Sequence, residues 1–240
     1  MNMLSQHPHD KATTPELIGR GGSKPVVRAT RWLVLGTIVG PVLFTLAWFV
    51  LGFLSPGYTA WGVHIAPYSA ISQGISGLGL GITAPFMNTA FVFSGIVILV
   101  GVVGVFQAIG EMGALTRWIC TILLALSPLG MIMDGIFTLE SFFLHLLGFL
   151  LAAATPILSF VVIGLVFRRM PGLRRFGNWL LVASPLTLVL LILYFLTFSP
   201  TVAGTQTGVA GLTERILVIE LHFWFVVMGW LILRRPARAF

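Results

Sequence analysis

From Trp32 through Gly110 the chain contains no Asp, Glu, Lys or Arg. No water-soluble domain forms around so long an uncharged run, because about a quarter of an ordinary globular sequence is charged. The whole chain agrees, at 57% hydrophobic and 9% charged residues with a mean hydropathy of +1.00. Crossing roughly 30 Å of hydrocarbon as a helix takes about 20 apolar residues. Six stretches meet that length: about 32–54, 86–109, 118–139, 142–167, 179–198 and 213–233. The expected fold is an all-α integral membrane protein, a bundle of six transmembrane helices over residues 31–234.

Thirteen of the fourteen Lys and Arg residues fall where one side of a membrane can hold them all. Lys11, Arg20, Lys24, Arg28 and Arg31 precede the first span. Arg117 lies in the second connection, Arg168, Arg169, Arg174 and Arg175 in the fourth, and Arg234, Arg235 and Arg238 close the chain. Only Arg215 falls on the other side. Basic residues resist translocation, so this bias predicts both termini in the cytoplasm and a multi-pass protein of the plasma (inner) membrane. The pI of about 10.8 raises the question of nucleic acid, but the basic residues flank apolar spans and build no separate domain. Anionic lipid headgroups on the cytoplasmic side are the expected partner. Trp32, Trp118, Trp179 and Trp230 mark one interface, and Tyr58, Trp61 and Tyr194 the other.

Residues 1–30 read as a disordered cytoplasmic tail and 235–240 as a basic one. No apolar segment of signal-peptide type precedes Arg31, so no cleaved leader is expected. His7 and His9 in the tail carry no site on their own. Cys120 is the single cysteine, set in an apolar run, and reads as a packed thiol. Pro41, Pro128, Pro156 and Pro185 fall within spans, where each removes a backbone donor and tends to kink its helix. Gly36 and Gly40 form a small-xxx-small pattern suited to close helix packing. No internal repeat supports an inverted-repeat transporter.

The half away from the arginines gathers the polar residues. Asp134, Glu140, His145, Glu214, Arg215, Glu220 and His222 lie there, with His64 in the first outer loop. Ionisable groups at membrane depth cost a few kcal/mol each unless paired, so each is a candidate for function. Spans three and four form a tight hairpin, and Asp134 and His145 sit at matching distances from its turn. They are expected at the same depth and able to face each other. Arg215 and His222, seven residues apart, share a helix face, whereas Glu220 points about 160° from His222. His222 or Arg215 is therefore expected near the Asp134–His145 pair, and Glu220 elsewhere.

The outer loop, 55–85, is too long for a simple connector. Tyr68, Ser69, Ser72, Gln73 and Ser76 alternate there with apolar residues and glycines, as in a lid over the bundle mouth. Its glycines do not make a nucleotide loop, because no Lys-Ser/Thr follows and no strand is expected before them.

Four groups of residues together resemble a known family. Pro56-Gly57-Tyr58 leads to Ile71-Ser72-Gln73-Gly74-Ile75-Ser76, and Asn88 opens the second span with Gly95 inside it. Gly130-Met131-Ile132-Met133-Asp134-Gly135-Ile136-Phe137 is followed by His145, and Gly211-Leu212-Thr213-Glu214-Arg215 opens the sixth span. In order and spacing these are similar to the bacterial and archaeal membrane-protein family known as domain of unknown function 998. The resemblance covers about 31–233 and implies a six-helix integral membrane protein without an assigned reaction. Gln73 or Gly77 stands where the family carries an acid.

Three functional readings follow. One is an outward-facing polar pocket that binds or transports a small apolar or lipid-like ligand, with Asp134, His145, His222, Arg215, Glu220, Tyr68 and Gln73 as candidate residues. A second is a membrane-embedded metal hydrolase of lipid amides or esters. It would use Asp134, His145 and His222 as zinc ligands and Glu220 or Glu140 as base, although no His-x-x-x-His or His-Glu-x-x-His pair is present. The third is a structural or assembly protein, with Asp134–His145 a buried pair, Arg215 an anchor and Glu214 a helix cap. Substrate and oligomeric state are not legible in the sequence.

Overall fold

The computed structural model describes residues 31–198 and 207–235. The tail at 1–30, with His7 and His9, and residues 236–240 lie outside the described residues. Among those described, six segments are long and apolar enough to cross a membrane. They are Arg31–Leu54, Gly81–Gln107, Ala114–Ile136, Phe142–Arg168, Arg174–Thr197 and Ala210–Arg234. The fold is an all-α bundle of six such helices, as expected. Within them run α1 (Gly36–Leu54), α2 (Ala84–Gln107), α3 (Ala114–Ile136), α4 (Phe142–Ala153), α5 (Thr155–Arg168), α6 (Arg174–Thr197) and α7 (Ala210–Arg234).

The helices close into a ring: α2 packs between α1 and α3, α4 lies along α3, α5 along α6, and α7 joins α6 to α1. Phe44, Ile98, Val102, Phe106, Phe160 and Phe167 fill the interior. The outward faces are apolar too, with Leu46, Phe93, Ile122, Leu158, Val182 and Phe223 exposed. A helix apolar on all sides is the signature of a lipid-facing bundle. With no hydrophobic drive between helices in lipid, close packing decides how they associate. Glycine supplies it here. A Cβ added at Gly36 would stand 2.2 Å from the Val97 carbonyl oxygen, and one at Gly101 would stand 2.2 Å from the Thr37 nitrogen.

Three of the four span prolines, Pro41, Pro128 and Pro185, sit inside unbroken helices. Pro156 instead coincides with the division of the fourth span into α4 and α5. Proline has no N–H, so the Ala152 carbonyl four residues back loses its helical partner. The Ser127 hydroxyl of α3 replaces it, donating to Ala152 O at 2.8 Å. Below the break α5 runs along α6. Above it α4 follows α3, and the gap left beside α6 is bridged by Phe149 against Tyr194, their ring centroids 4.9 Å apart.

The described arginines other than Arg215 lie at one end of the bundle. Arg31 donates to Leu233 O at 2.5 Å, which joins the start of the first span to the end of the last. Arg117 donates to Ile109 O and Met112 O at 3.1 and 3.0 Å, and Arg235 to Pro171 O at 3.1 Å and Glu111 at 3.5 Å.

The long loop occupies the opposite end and is more ordered than a connector. It begins with a short antiparallel hairpin, β1 (Tyr58–Ala60) and β2 (Val63–Ile65), with Thr59 opposite His64. This corrects the expectation that no strand precedes the glycines. Gly57 and Gly62, with φ of 134° and 78°, allow the chain to enter the hairpin and turn within it. Two 3₁₀ turns, Ile75–Gly79 and Gly81–Thr83, then lead into α2. Ile75 and Leu78 are 1% and 0% exposed, so the loop is inserted among the helices and does not merely lie across them.

The α1–α2 crossing supplies a test. Overfilling a close-packed site costs about 1–3 kcal/mol and more when backbone must move. Gly101→Leu is expected to lower the thermal midpoint of the detergent-solubilised protein, followed by tryptophan fluorescence, whereas Val100→Leu on the lipid-facing side leaves it unchanged. Equal midpoints for both variants would refute the close-crossing account.

Candidate functional site

Two neighbouring residues of α7 hold the loop in place. Arg215 sends one guanidinium nitrogen to the carbonyls of Ala70, Gln73 and Gly211 at 2.8, 2.9 and 2.8 Å. Its other terminal nitrogen donates to the Tyr68 hydroxyl, which donates in turn to Gly74 O at 3.1 Å. The guanidinium also lies 5.3 Å from the Trp48 ring centroid and 5.8 Å from that of Tyr68, within cation–π range. Glu214 accepts the Ile75 N–H at 2.9 Å. α7 begins at Ala210, so Glu214 falls beyond the first turn and binds the loop rather than capping its own helix. Glycines permit the approach: a Cβ at Gly74 would stand 2.4 Å from Glu214 Oε2, and one at Gly211 would stand 2.2 Å from Gln73 O.

Burial pushes the Tyr68 phenol up to about 12, against the opposing pull of Arg215. The Tyr58 phenol is likewise raised, chiefly by burial and then by the nearby Tyr68 and Glu214.

Asp134 and His145 do face each other across the α3–α4 hairpin, with His145 Nδ1 3.6 Å from Asp134 Oδ1. Nδ1 lies closer to the Phe137 carbonyl, at 2.7 Å, and Nε2 lies 2.8 Å from Ser76 Oγ. A carbonyl accepts only, so Nδ1 carries the proton and Nε2 accepts from the serine hydroxyl. The α3–α4 approach that makes this possible again depends on glycine. A Cβ on Gly148 would stand 2.3 Å from Asp134 Oδ1, and one on Gly130 would stand 2.4 Å from Gly148 O.

Two cavities meet at this cluster. The larger, about 290 Å³, lies under the loop and beside α4 and α6; Tyr58, Trp61, Phe142, Phe149, Tyr194 and Phe195 form much of its wall. Ser72, Gln73, Ser76, His145 and Glu214 are its polar lining. The smaller, about 40 Å³, lies deeper and is lined by Phe44, Asp134, Glu214 and His222 among others. Ser76, Phe149 and Glu214 border both. Gln73 is 1% exposed. Its Oε1 accepts the Ser69 N–H at 2.8 Å, which leaves Nε2 as the free end of the amide. Gln73 Nε2 and Ser72 Oγ are buried without a hydrogen-bond partner among the described residues.

The candidate residues therefore divide. Asp134, His145 and Gln73 gather around the cavities, and His222 reaches the deeper one, with Nδ1 3.4 Å from the Thr45 hydroxyl and its ring edge-on to Phe44. Arg215 and Tyr68 belong to the loop clamp. Glu220 points away, accepting from Thr187 at 3.0 Å and from Trp224 Nε1 at 2.5 Å. Glu140 and His64 are exposed. Asp134, His145 and His222 do not converge as zinc ligands. Among the described residues no three His, Cys, Asp or Glu side chains form a group able to hold a metal ion. Both His145 nitrogens are already engaged, and His222 sits against Phe44. The sequence named Ser76 only as one of the loop's polar residues and not its pairing with His145, which is 69 residues away and joined to it by no spacing rule.

Six apolar spans and an inserted loop define an integral, multi-pass α-helical membrane protein. The chain belongs to the family described as protein of unknown function (DUF998), whose model matches residues 38–231. No curated protein and no solved structure matches it.

Two measurements follow. Removing one partner from a buried ionic arrangement costs about 3–5 kcal/mol. Amide exchange across residues 70–76 is therefore expected to rise on the order of a hundredfold in Arg215→Met, and unchanged exchange would remove the clamp. For Tyr68 the folded state holds its proton more tightly than the unfolded chain, whose ordinary value is 10.0. Its contribution to stability is complete below pH 10 and lost as pH rises through about 12. In Tyr194→Phe, absorbance at 295 nm should show no phenolate at pH 10.5 until the protein is unfolded. A phenolate signal from the folded protein at that pH would contradict the burial of both loop tyrosines.

Proposed function

We propose that this protein sits in a plasma (inner) membrane with both termini cytoplasmic and binds a small, largely apolar, lipid-like ligand in the loop-covered cavity. The observation that carries this reading is an aromatic cavity of about 290 Å³ lined by Ser72 and Gln73, each of which holds a buried polar atom, Ser72 Oγ and Gln73 Nε2, with no hydrogen-bond partner among the described residues. Buried polar groups ordinarily find partners. Ligand pockets typically combine an apolar wall with a few convergent polar groups, and this one stands near the lower end of the usual range of roughly 300–1,000 Å³. The ligand chemistry that fits is an apolar body carrying one hydrogen-bond acceptor, such as an ester or amide carbonyl.

Trp61, Phe142 and Phe195 on the cavity wall are each more than two-fifths exposed, which supports entry from the lipid side between α4 and α6. The arginine-rich end supports the orientation, and its side chains are placed to meet anionic headgroups at about 1 kcal/mol each. Towards that end Phe106, Phe160 and Phe167 are fully buried and fill the interior. That packing favours a binding site closed at its base over a passage through the bundle.

Photo-crosslinking tests the reading. In nanodiscs, a diazirine-bearing decanoylglycerol is expected to modify peptides holding Phe142–Phe149 and Tyr194–Phe198, and excess decanoylglycerol should compete it away. Leu146→Trp, which fills the cavity, should reduce that modification at least about tenfold. Crosslinks confined to lipid-facing residues such as Phe93 and Ile122, indifferent to competitor, would sink the proposal.

A further inference from the structure

We propose that Ser76, His145 and Asp134 form a nucleophile, base and orienting acid, and that they transfer the acyl group of a small membrane-soluble carboxylic ester to water. The proposal rests on the ligand-binding reading and adds a reaction to it. Two parts of the chain far apart in sequence bring these groups together: the loop after β2, and the tight hairpin made by the end of α3 and the start of α4.

The geometry meets the requirements of an activated serine in order. A nucleophilic hydroxyl needs a base within hydrogen-bond reach, and Ser76 Oγ lies 2.8 Å from His145 Nε2. The base must present a lone pair there, and the Phe137 carbonyl, 2.7 Å from Nδ1, holds the ring in that tautomer. A negative charge beside the far nitrogen then stabilises the imidazolium formed when the serine proton arrives. Asp134 Oδ1, 3.6 Å from Nδ1 and without a hydrogen-bond partner among the described residues, is placed for this. Asp134 and the Phe137 carbonyl are positioning groups, because they act through the ring.

Substrate access and carbonyl polarisation are also present. Ser76 and His145 both border the aromatic cavity, and Ser76 is only partly buried. Ser72 and Gln73, in the turn just before Ser76, line the same cavity, and Ser72 Oγ and Gln73 Nε2 have no hydrogen-bond partner among the described residues. An ester whose apolar chain fills the cavity brings its carbonyl to this polar wall, where those two donors hold the oxygen as charge builds on it. Glu214 accepts the N–H of Ile75, the residue before Ser76, at 2.9 Å and so fixes the position of the nucleophile.

The reaction balances without a metal or redox partner. The Ser76 Oγ–carbon bond forms as the hydroxyl proton moves to Nε2 and the carbonyl π electrons move to oxygen. The carbonyl then reforms, the bond to the alcohol oxygen breaks, and Nε2 returns its proton to that oxygen. Water repeats the sequence on the acyl-serine: its proton passes to Nε2 and then to Ser76 Oγ, and the carboxylic acid leaves.

Decyl fluorophosphonate on the full-length protein in nanodiscs tests this directly. The expected result is a phosphonyl adduct, with loss of fluoride, on the Ser76 peptide of the unmodified chain. Ser76→Ala should carry none, and Asp134→Asn should react at least about tenfold more slowly with an unchanged thermal midpoint. No adduct on the unmodified chain, while the photoreactive decanoylglycerol still labels the cavity, would overturn the relay and leave the binding reading standing. Failure of both probes would overturn both. An adduct that persists in Ser76→Ala places the nucleophile elsewhere and likewise overturns the proposal.

Discussion

The structure depends on one requirement, that a buried guanidinium in an apolar bundle find acceptors for its two terminal nitrogens. Arg215 is 6% exposed, in a helix whose side chains are mostly apolar apart from its neighbours Thr213 and Glu214. A lone charge there would cost several kcal/mol or more. The chain meets that cost with backbone rather than an opposing acid: the carbonyls of Ala70, Gln73 and Gly211 converge on one nitrogen. Gly211 O belongs to the first turn of α7 itself, but the other two carbonyls are free to converge because the backbone at Ala70 and Gln73 is not helical. The irregular turn at Ala70–Gly74 must therefore enter the bundle, which non-helical backbone does at membrane depth only when protein buries it. Glu214 completes the arrangement from the same helix by taking an N–H that the turn leaves over.

With the loop inserted, the rest of the site follows. Gly74 and Gly211 admit the approach of α7, Gly148 admits Asp134 beneath α4, and Pro156 opens the space next to α6. The break at Pro156 does two things at once. It frees Ala152 O, which Ser127 takes up, so α4 stays bound to α3; and it lets α4 diverge from α6, so a cavity remains above. Rigidity on the Asp134 side and space on the Tyr194 side thus have one cause.

The membrane fold was legible because it depends on properties that composition and spacing carry directly. An uncharged run from Trp32 to Gly110 excludes a soluble domain, and the described arginines other than Arg215 fall into four short segments that the bundle places at one end. The Asp134–His145 approach was also legible, since a tight hairpin sets equal depths from equal distances to its turn. Periodicity correctly separated Glu220 from His222. Of the two residues offered for the neighbourhood of the Asp134–His145 pair, His222 lines the deeper cavity with Asp134. Arg215, two turns nearer the loop, meets the loop first, because a shared helix face fixes direction but not depth. The hairpin at Tyr58–Ile65 was missed because three-residue strands carry too short an alternation to register. The pairing of Ser76 with His145 was invisible for a related reason, since that partner is chosen by tertiary packing rather than by local pattern.

The same contacts bear on why the polar cluster is more than a brace for the hairpin. A brace needs its hydrogen bonds closed, and in the loop clamp most are: Arg215, Tyr68 and Glu214 each find partners, with Arg215 Nε left over. Around the cavity they are not closed. Ser72 Oγ, Gln73 Nε2 and Asp134 Oδ1 are each buried with a bonding capacity unmet among the described residues. All three lie within the turn and hairpin that position Ser76 and His145. Leaving such groups unsatisfied costs about 1–3 kcal/mol each, and packing alone offers nothing that offsets it. An acyl ester supplies the missing acceptor for Ser72 and Gln73, and a proton arriving at His145 supplies the charge that Asp134 lacks. These three unfilled bonds fall where a substrate and its proton would complete them, whereas Trp48 Nε1, Ser55 Oγ and Ser94 Oγ, also unpartnered among the described residues, line neither cavity.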